Sequence, residues 1–285
     1  MNEPDFIAAL RQLPLHAGAR GLLDDCAVLT LGSETLVITH DMMVEGTHFR
    51  EGADMADVAW KLVASNISDL AAKGAEPVGV LLGHMLGRDN ARFLNGLHEA
   101  LEAFGAPLLG GDTVAGEGLR SFGLTAIGRA THTPVPSRSG AQVGDKAYVT
   151  GAVGRAMLGF EGVPEHRAAF DRPIPRLAAG IALAPHVTAM MDISDGLLLD
   201  AFRLAQASGV GIVLDPLAVP MADPARAGEC MRWGDDYELL FTAPPAAQLP
   251  VIAYEIGVVT ALDVASLILD SEPLGDPATL GYRHG

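Results

Sequence analysis

The stretch from Asp57 to Lys73 constrains the fold most, because Val58, Ala59, Leu62, Val63, Ile67 and Leu70 recur at helical spacing around one carboxylate, Asp69. Asp54, with Asp57 three residues later, suits the start of such a helix, and Lys73 with Gly74 suits its end. Asn66 lies three residues before Asp69 and Lys73 four after, so the three polar groups share one side. A carboxylate buried alone there would carry a heavy desolvation penalty and would need a cation or a hydrogen-bond network. The other reading is an Asp69–Lys73 ion pair on a solvated face.

Strand-like and helical runs alternate around this helix. Residues Cys26–Leu31, Thr35–Thr39, Val78–Met85 and Phe122–Ala130 are short, apolar and bounded by Gly, Pro or Asp, and read as strands. A second helix is expected from near Asn90 to Phe104, before Gly105, Ala106 and Pro107 break it. A chain of 285 residues exceeds the usual single-domain length. The Pro-, Ser- and Gly-rich run THTPVPSRSGAQVG, residues 131–144, reads as the join between two domains, 1–137 and 138–285. Beyond it, Lys146–Thr150 reads as a strand, Gly151 and Gly154 as a turn, and Gly196–Ala207 as a helix stopped by Ser208 and Gly209. Gly211–Leu214, Tyr237–Thr242 and Ile256–Thr260 read as strands. The alternation predicts an α/β or α+β fold, with strand direction left open.

The 49% apolar content and mean hydropathy of +0.27 suit a soluble enzyme, and no uncharged apolar run approaches the roughly 18 residues of a membrane span. The N-terminal MNEPDFIAALRQLPL is acidic and amphipathic and lacks the features of a secretory signal, so a cytoplasmic location is expected. Cys26 and Cys230, 204 positions apart and in no metal-ligand spacing, read as free thiols. The 19 basic and 35 acidic residues leave a net charge of −16, which argues against a nucleic-acid partner. Such acidity either solvates the surface or gathers carboxylates where divalent cations neutralise them.

Position favours gathering. Asp24 and Asp25 precede a strand, Asp41 follows one, Asp112 follows Gly110-Gly111, Asp192 and Asp195 lie in DISDG, and Asp235 and Asp236 in WGDDYELLF. Each alone is an ordinary strand end or cap; together with Asp69 they suit a hard, oxygen-ligated cation such as Mg²⁺. No His/Cys cluster has zinc spacing, and His40 in its Thr-His-Asp setting reads as a structural hydrogen-bonder. The nucleotide-binding P-loop and the protein-kinase motifs are absent, so any bound ATP is held by another architecture. Gly110-Gly111-Asp112-Thr113 and the Gly151–Gly154 segment read as simple turns, or else as approachable backbone beside a carboxylate and an anion site opening a helix.

The ordered series GLLDDCAVL, VITHDMMVEGTHF, NISDLAAKGAEP, GGDTV, PSRSGA, GDKAYVTGAVG, MDISDGL and GDDYELLF, ending in GYRHG, resembles the thiamine-monophosphate kinase family of the aminoimidazole-ribonucleotide synthetase superfamily. The resemblance implies a two-domain aminoimidazole-ribonucleotide synthetase-like fold, each domain a mixed sheet with packed helices. The N-terminal domain would bind metal and ATP and pair into a homodimer, and the C-terminal domain would close the cleft. It further implies several Mg²⁺ ions and the conversion of ATP and thiamine monophosphate to ADP and thiamine diphosphate. By position, Asp25, Thr39, His40, Asp41, Asp69, Asp112, Asp192 and Asp195 fall at Mg²⁺ ligands. Gly111, Asp112, Arg138 and Ser194 fall at nucleotide contacts, and His48, Asp235 and Tyr282 at substrate contacts; Asp41, Asp69 and Asp112 are implied in catalysis. His40 stands where the family often has Thr, so a ligand there is expected to be its backbone oxygen; Asp235 stands where Glu is common, and Trp233 where a small residue is. The implied acceptor, a phosphate oxygen, is ionised at neutral pH, so in-line transfer needs positioning and charge neutralisation but no general base. The other readings are a superfamily relative with a different acceptor and a non-catalytic nucleotide-binding regulator. The reactive Cys of selenophosphate synthetase has no counterpart in the N-terminal segment, and GTHF and GDDYEL favour the thiamine enzyme over aminoimidazole-ribonucleotide synthetase.

Overall fold

Two mixed sheets carry the chain in the computed structural model, which describes residues 2–283. The first half runs α1 (Glu3–Leu10), β1 (Ala27–Leu31), β2 (Glu34–Val44), α2 (Met55–Ala72), β3 (Ala75–Leu86), α3 (Asn90–Phe104), β4 (Leu108–Ala115) and β5 (Ser121–Ala130). Its strand order is β1-β2-β5-β3-β4, with β3 and β4 parallel and the other pairs antiparallel. The second half runs β6 (Lys146–Val149), α4 (Arg155–Glu161), α5 (Arg167–Asp171), α6 (Leu177–Leu183), β7 (Ala189–Asp192), α7 (Leu197–Ser208), β8 (Gly211–Leu214), α8 (Ala227–Trp233), β9 (Leu239–Ala243), β10 (Tyr254–Thr260), β11 (Leu267–Leu269) and β12 (Glu272–Leu274). Its order is β12-β11-β8-β10-β6-β9-β7, with only β8 and β11 parallel. His284 and Gly285 of the GYRHG motif, and Met1, lie outside the described residues. Among those described, no helix is long and apolar enough to cross a membrane, and both cysteines are free and buried.

Helix α2 forms where the periodicity places it. The Asp54 carboxylate accepts the Ala56 amide at 2.9 Å, and Gly74 follows the C-cap Lys73 with φ +59°. Gly74 is also a close-approach site, since a Cβ there would lie 2.4 Å from the Ala184 side chain. The helix packs on β2, β5 and α3 within its own half and against α6 and β7 of the other. It is therefore buried on nearly all sides, and its polar residues Lys61, Ser65, Asn66, Ser68, Asp69 and Lys73 are buried with it. This overturns the solvated-face reading. Lys73 turns from Asp69 to Asp24 and Asp25, at 2.5 and 2.8 Å, and to the Met190 carbonyl at 3.2 Å. A small core of Ala71, Ala72, Leu183, Met190, Leu239 and Phe241 joins the two halves beside it.

Strands β2 and β4 differ from the sequence reading, which placed no strand at β7, β11 or β12. The one expected to end at Thr39 continues to Val44, so His40 and Asp41 lie inside the sheet. The Gly110–Thr113 segment belongs to β4, the parallel edge partner of β3. Its glycines allow close strand approach, since a Cβ on Gly111, at φ +153°, would stand 1.9 Å from the Leu82 carbonyl.

Candidate active site

Strand alternation turns Thr39 and Asp41 of β2 toward α2 and turns His40 to the opposite face, where its Nδ1 meets Thr125 Oγ1 at 2.9 Å. From α2, Asp69 accepts a hydrogen bond from the Thr39 hydroxyl, and the neighbouring Ser68 hydroxyl donates to Asp192 Oδ2 at 2.6 Å. Asp192 ends β7 of the second sheet, and Asp25 precedes β1 of the first. The carboxylates of Asp25, Asp69 and Asp192 each bring an oxygen within 4.8 Å of the others. Asp192 Oδ1 is buried without a hydrogen-bond partner.

Like charges this close are unfavourable without a cation. Burial, then the charges of Asp41, Asp192 and Asp25, pushes the Asp69 carboxyl well above the ordinary carboxylate range. Burial and the Asp25 charge raise Asp192 to about 8, and burial raises Asp41. The other flank is compensated. Burial would raise Asp24 and Asp25 too, but Lys73, with Arg20 beside Asp24 and Arg138 beside Asp25, holds both below the usual range. An all-oxygen donor set with an orphaned buried oxygen fits Mg²⁺, and does not fit a metal that prefers nitrogen or sulfur.

Arg138 reaches the cluster by pairing with Asp25. Ser194 and Asp195 sit on the turn after β7, where the carboxylate of Asp200, buried in α7, accepts their amides at 3.2 and 3.1 Å. Asp195 is ion-paired with Arg203, which also reaches Asp200 at 3.1 Å. Burial and the Asp195 charge raise Asp200 to about 7. Asp112 stands apart from the three clustered carboxylates: it is exposed on β4, in register with Gly83, Gly123 and Met42 rather than with Asp41. The possible anion site opening a helix at Gly154 is filled from within, because Asp236 accepts the Gly154 amide at 2.8 Å and the Ala156 amide at 3.4 Å.

The three substrate-side residues line one cavity of about 510 Å³ with Asp41, Asp69, Asp192, Ser194 and Asp195. His48 Nδ1 accepts the Val44 amide at 3.0 Å, and the Tyr282 amide donates to the Asp195 carbonyl at 2.9 Å. Asp235 and Tyr237 hold left-handed backbone, φ +58° and +51°, which costs a non-glycine residue roughly 1–3 kcal/mol and is characteristic of functional sites. Lys61, Phe160, Phe170 and Trp233 complete this end of the cavity. Neither Lys61 nor Asp200 was singled out from sequence. Lys61 is a lone cation within the apolar stretch of α2, and that was the available signal.

The AIR synthase related protein family matches with its N-terminal domain over residues 23–130 and its C-terminal domain over residues 142–270. The thiamine-monophosphate kinase of Salmonella typhimurium is 35% identical, over 93% of this chain and 91% of the relative. That of Caulobacter vibrioides is also 35% identical, over 100% of this chain and 91% of its own. The solved structure of AaThiL complexed with AMPPCP and TMP superimposes with a TM-score of 0.88 at 26% identity, covering 100% of this chain and 97% of that one. The chain belongs to the thiamine-monophosphate kinase family of the AIR-synthase-related proteins.

Proposed function

We propose that the protein transfers the γ-phosphate of ATP to the phosphate of thiamine monophosphate, yielding ADP and thiamine diphosphate. The observation that carries this reading is the convergence of Asp25, Asp69 and Asp192 from both halves of the chain, beside a cavity that also holds Asp41, His48, Asp235 and Tyr282. The thiamine-monophosphate kinases similar over nearly the whole chain support it, as does AaThiL with its ATP analogue and TMP.

Asp25, Asp69 and Asp192, with Asp41 beside them, would hold Mg²⁺, which when bound supplies neutralisation of the phosphate charges. The acceptor oxygen is already ionised near neutral pH, so the residues' task is orientation for in-line attack. Arg138 and Ser194 flank the nucleotide side, and His48, Asp235 and Tyr282 the acceptor side. Burial of the carboxylates excludes water that would otherwise compete as acceptor. Thr39 steadies Asp69, and His40 contributes only backbone. Asp195, paired with Arg203, would complete the metal set if that pair opened.

We assign a homodimer to the sheet face opposite α2. Met42, Leu81 and Val114 project there, 55%, 39% and 54% exposed, and a second copy would cover them. Gly111 and Asp112 lie on the β4 edge of that sheet, so their nucleotide and metal contacts belong to the dimer in this proposal. The division at 137/138 is supported by the first sheet ending at Ala130 and the second beginning at Lys146. Free buried thiols and the need for ATP favour the cytoplasm.

The test is ADP release from ATP and Mg²⁺ with thiamine monophosphate, thiamine, an aminoimidazole precursor or no acceptor. Turnover with thiamine monophosphate alone, abolished by EDTA, is expected. Turnover with another acceptor, or none from folded protein, contradicts the proposal.

A further inference from the structure

At the acceptor end of the cavity an ammonium already sits where a positively charged ring would fit. Lys61 Nζ lies 3.9 Å from the centroid of the Phe170 ring and 2.6 Å from Asp235 Oδ2. Phe160 meets Phe170 edge-on with centroids 5.2 Å apart, and Trp233 lies 5.0 Å from Phe160. The Tyr237 hydroxyl donates to the other Asp235 oxygen at 3.0 Å, so the carboxylate is fixed in place. The Phe170 face and the Asp235 carboxylate converge on one point and attract positive charge by quadrupole and by Coulomb interaction, while the Phe160 face is covered by the Arg50 guanidinium at 4.1 Å. The Lys61 side chain is 5% exposed, whereas Asp235 remains 31% exposed and open to a ligand.

We propose that this aromatic and carboxylate seat receives the cationic heteroaromatic ring of the substrate, and that Lys61 is its resident cation, displaced when that ring enters. The inference rests on the reading that the substrate is thiamine monophosphate, whose thiazolium ring carries a fixed positive charge. Two cations a few ångströms apart at one carboxylate repel, so the seat holds one at a time. Exchange of cation for cation keeps Asp235 paired throughout. A neutral ring displacing Lys61 leaves Asp235 without a counter-charge and is penalised, so Asp235 selects charged rings while Lys61 sets how tightly they bind.

Calorimetric binding of two phosphate-free probes tests this: thiamine, and 3-deazathiamine, which has the same shape but a neutral ring. Lys61→Met removes the competitor and should tighten thiamine about 3- to 10-fold, the size of a partly desolvated cation–π contact. Lys61→Arg, which restores a resident cation, should return the wild-type value, and thiamine should outbind 3-deazathiamine in both variants. Unchanged or weaker thiamine binding in Lys61→Met, or equal binding of the two probes, overturns the inference. The wild type gives a second readout, because the chain has three lysines, Lys61, Lys73 and Lys146. In a sample labelled with ¹⁵N at lysine Nζ, thiamine should shift the Lys61 signal as it leaves the Phe170 ring and leave that of Lys146 in place; an unmoved Lys61 signal overturns the inference. Turnover of thiamine monophosphate with either negative result removes only the exchange of cations, whereas absence of both turnover and binding removes the proposed function.

Discussion

Asp69 is a carboxylate surrounded by carboxylates, and its removal separates chemistry from folding. Asp69→Asn keeps the shape but takes one negative charge from a buried cluster, so turnover of thiamine monophosphate should fall about 100-fold or more. The melting temperature of the metal-free variant should equal or exceed that of the wild type, because the cost of burying an ionisable carboxyl among others is gone. Undiminished turnover in a coupled ADP assay would contradict this role. Asp192, raised to about 8, keeps its proton in the folded metal-free state, while an unfolded-chain carboxylate loses it near pH ~4. The folded state therefore binds more protons between those values, and this contribution to stability falls as pH rises from about 4 to about 8. The depressed Asp24 and Asp25 act in the opposite sense, losing their contribution as pH falls below the ordinary carboxylate range. Mg²⁺ should accordingly raise the melting temperature more at pH 8 than at pH 5, and equal gains would contradict the site. The sequence could say that Asp69 needs a cation or a network, because its helix is apolar around it. It could not say that Lys73 answers Asp24 and Asp25 instead, since that choice depends on what packs across the helix. Asp200 was out of reach for the same reason: its partners are turn amides presented by the fold.

At the scale of elements, legibility followed local pattern. Helix α2 carries strong periodicity and cap residues and α3 stops at its Gly105 breaker, and both lie where the sequence places them. Strand β4 does not alternate and contains two glycines, so LLGGDTVA resembled a turn; its exposed edge position relieves it of an apolar face to display. Strand β7, AMMD, is short and buried throughout, and such runs carry no period to read. The β4 account predicts that Gly111→Ala is destabilising, because its Cβ would meet the Leu82 carbonyl in a backbone conformation that disfavours side chains. Urea unfolding should register a loss of about 2 kcal/mol or more, and a variant as stable as the wild type would contradict the tight β3–β4 approach.

For the whole molecule, the site exists only because α2 is shared. It lies in the first half yet packs on α6 and β7 of the second, so Ser68 can hold Asp192 across the join. Motif order along the chain pointed to that meeting; the orphaned Asp192 oxygen and the exposed face of the first sheet required the three-dimensional structure. If that face pairs two copies, sedimentation equilibrium should give about 59 kDa, twice the 29.7 kDa of one chain, and Met42→Asp should give monomer. A monomeric wild type would contradict the pairing. The central claim is phosphorylation of a phosphate, and ³¹P nuclear magnetic resonance of thiamine monophosphate, ATP and Mg²⁺ with the enzyme tests it most directly. The account predicts that ADP and the two coupled phosphorus signals of thiamine diphosphate grow together in equal amounts. Growth of inorganic phosphate in their place, or an unchanged thiamine monophosphate signal while ATP is consumed, would contradict it.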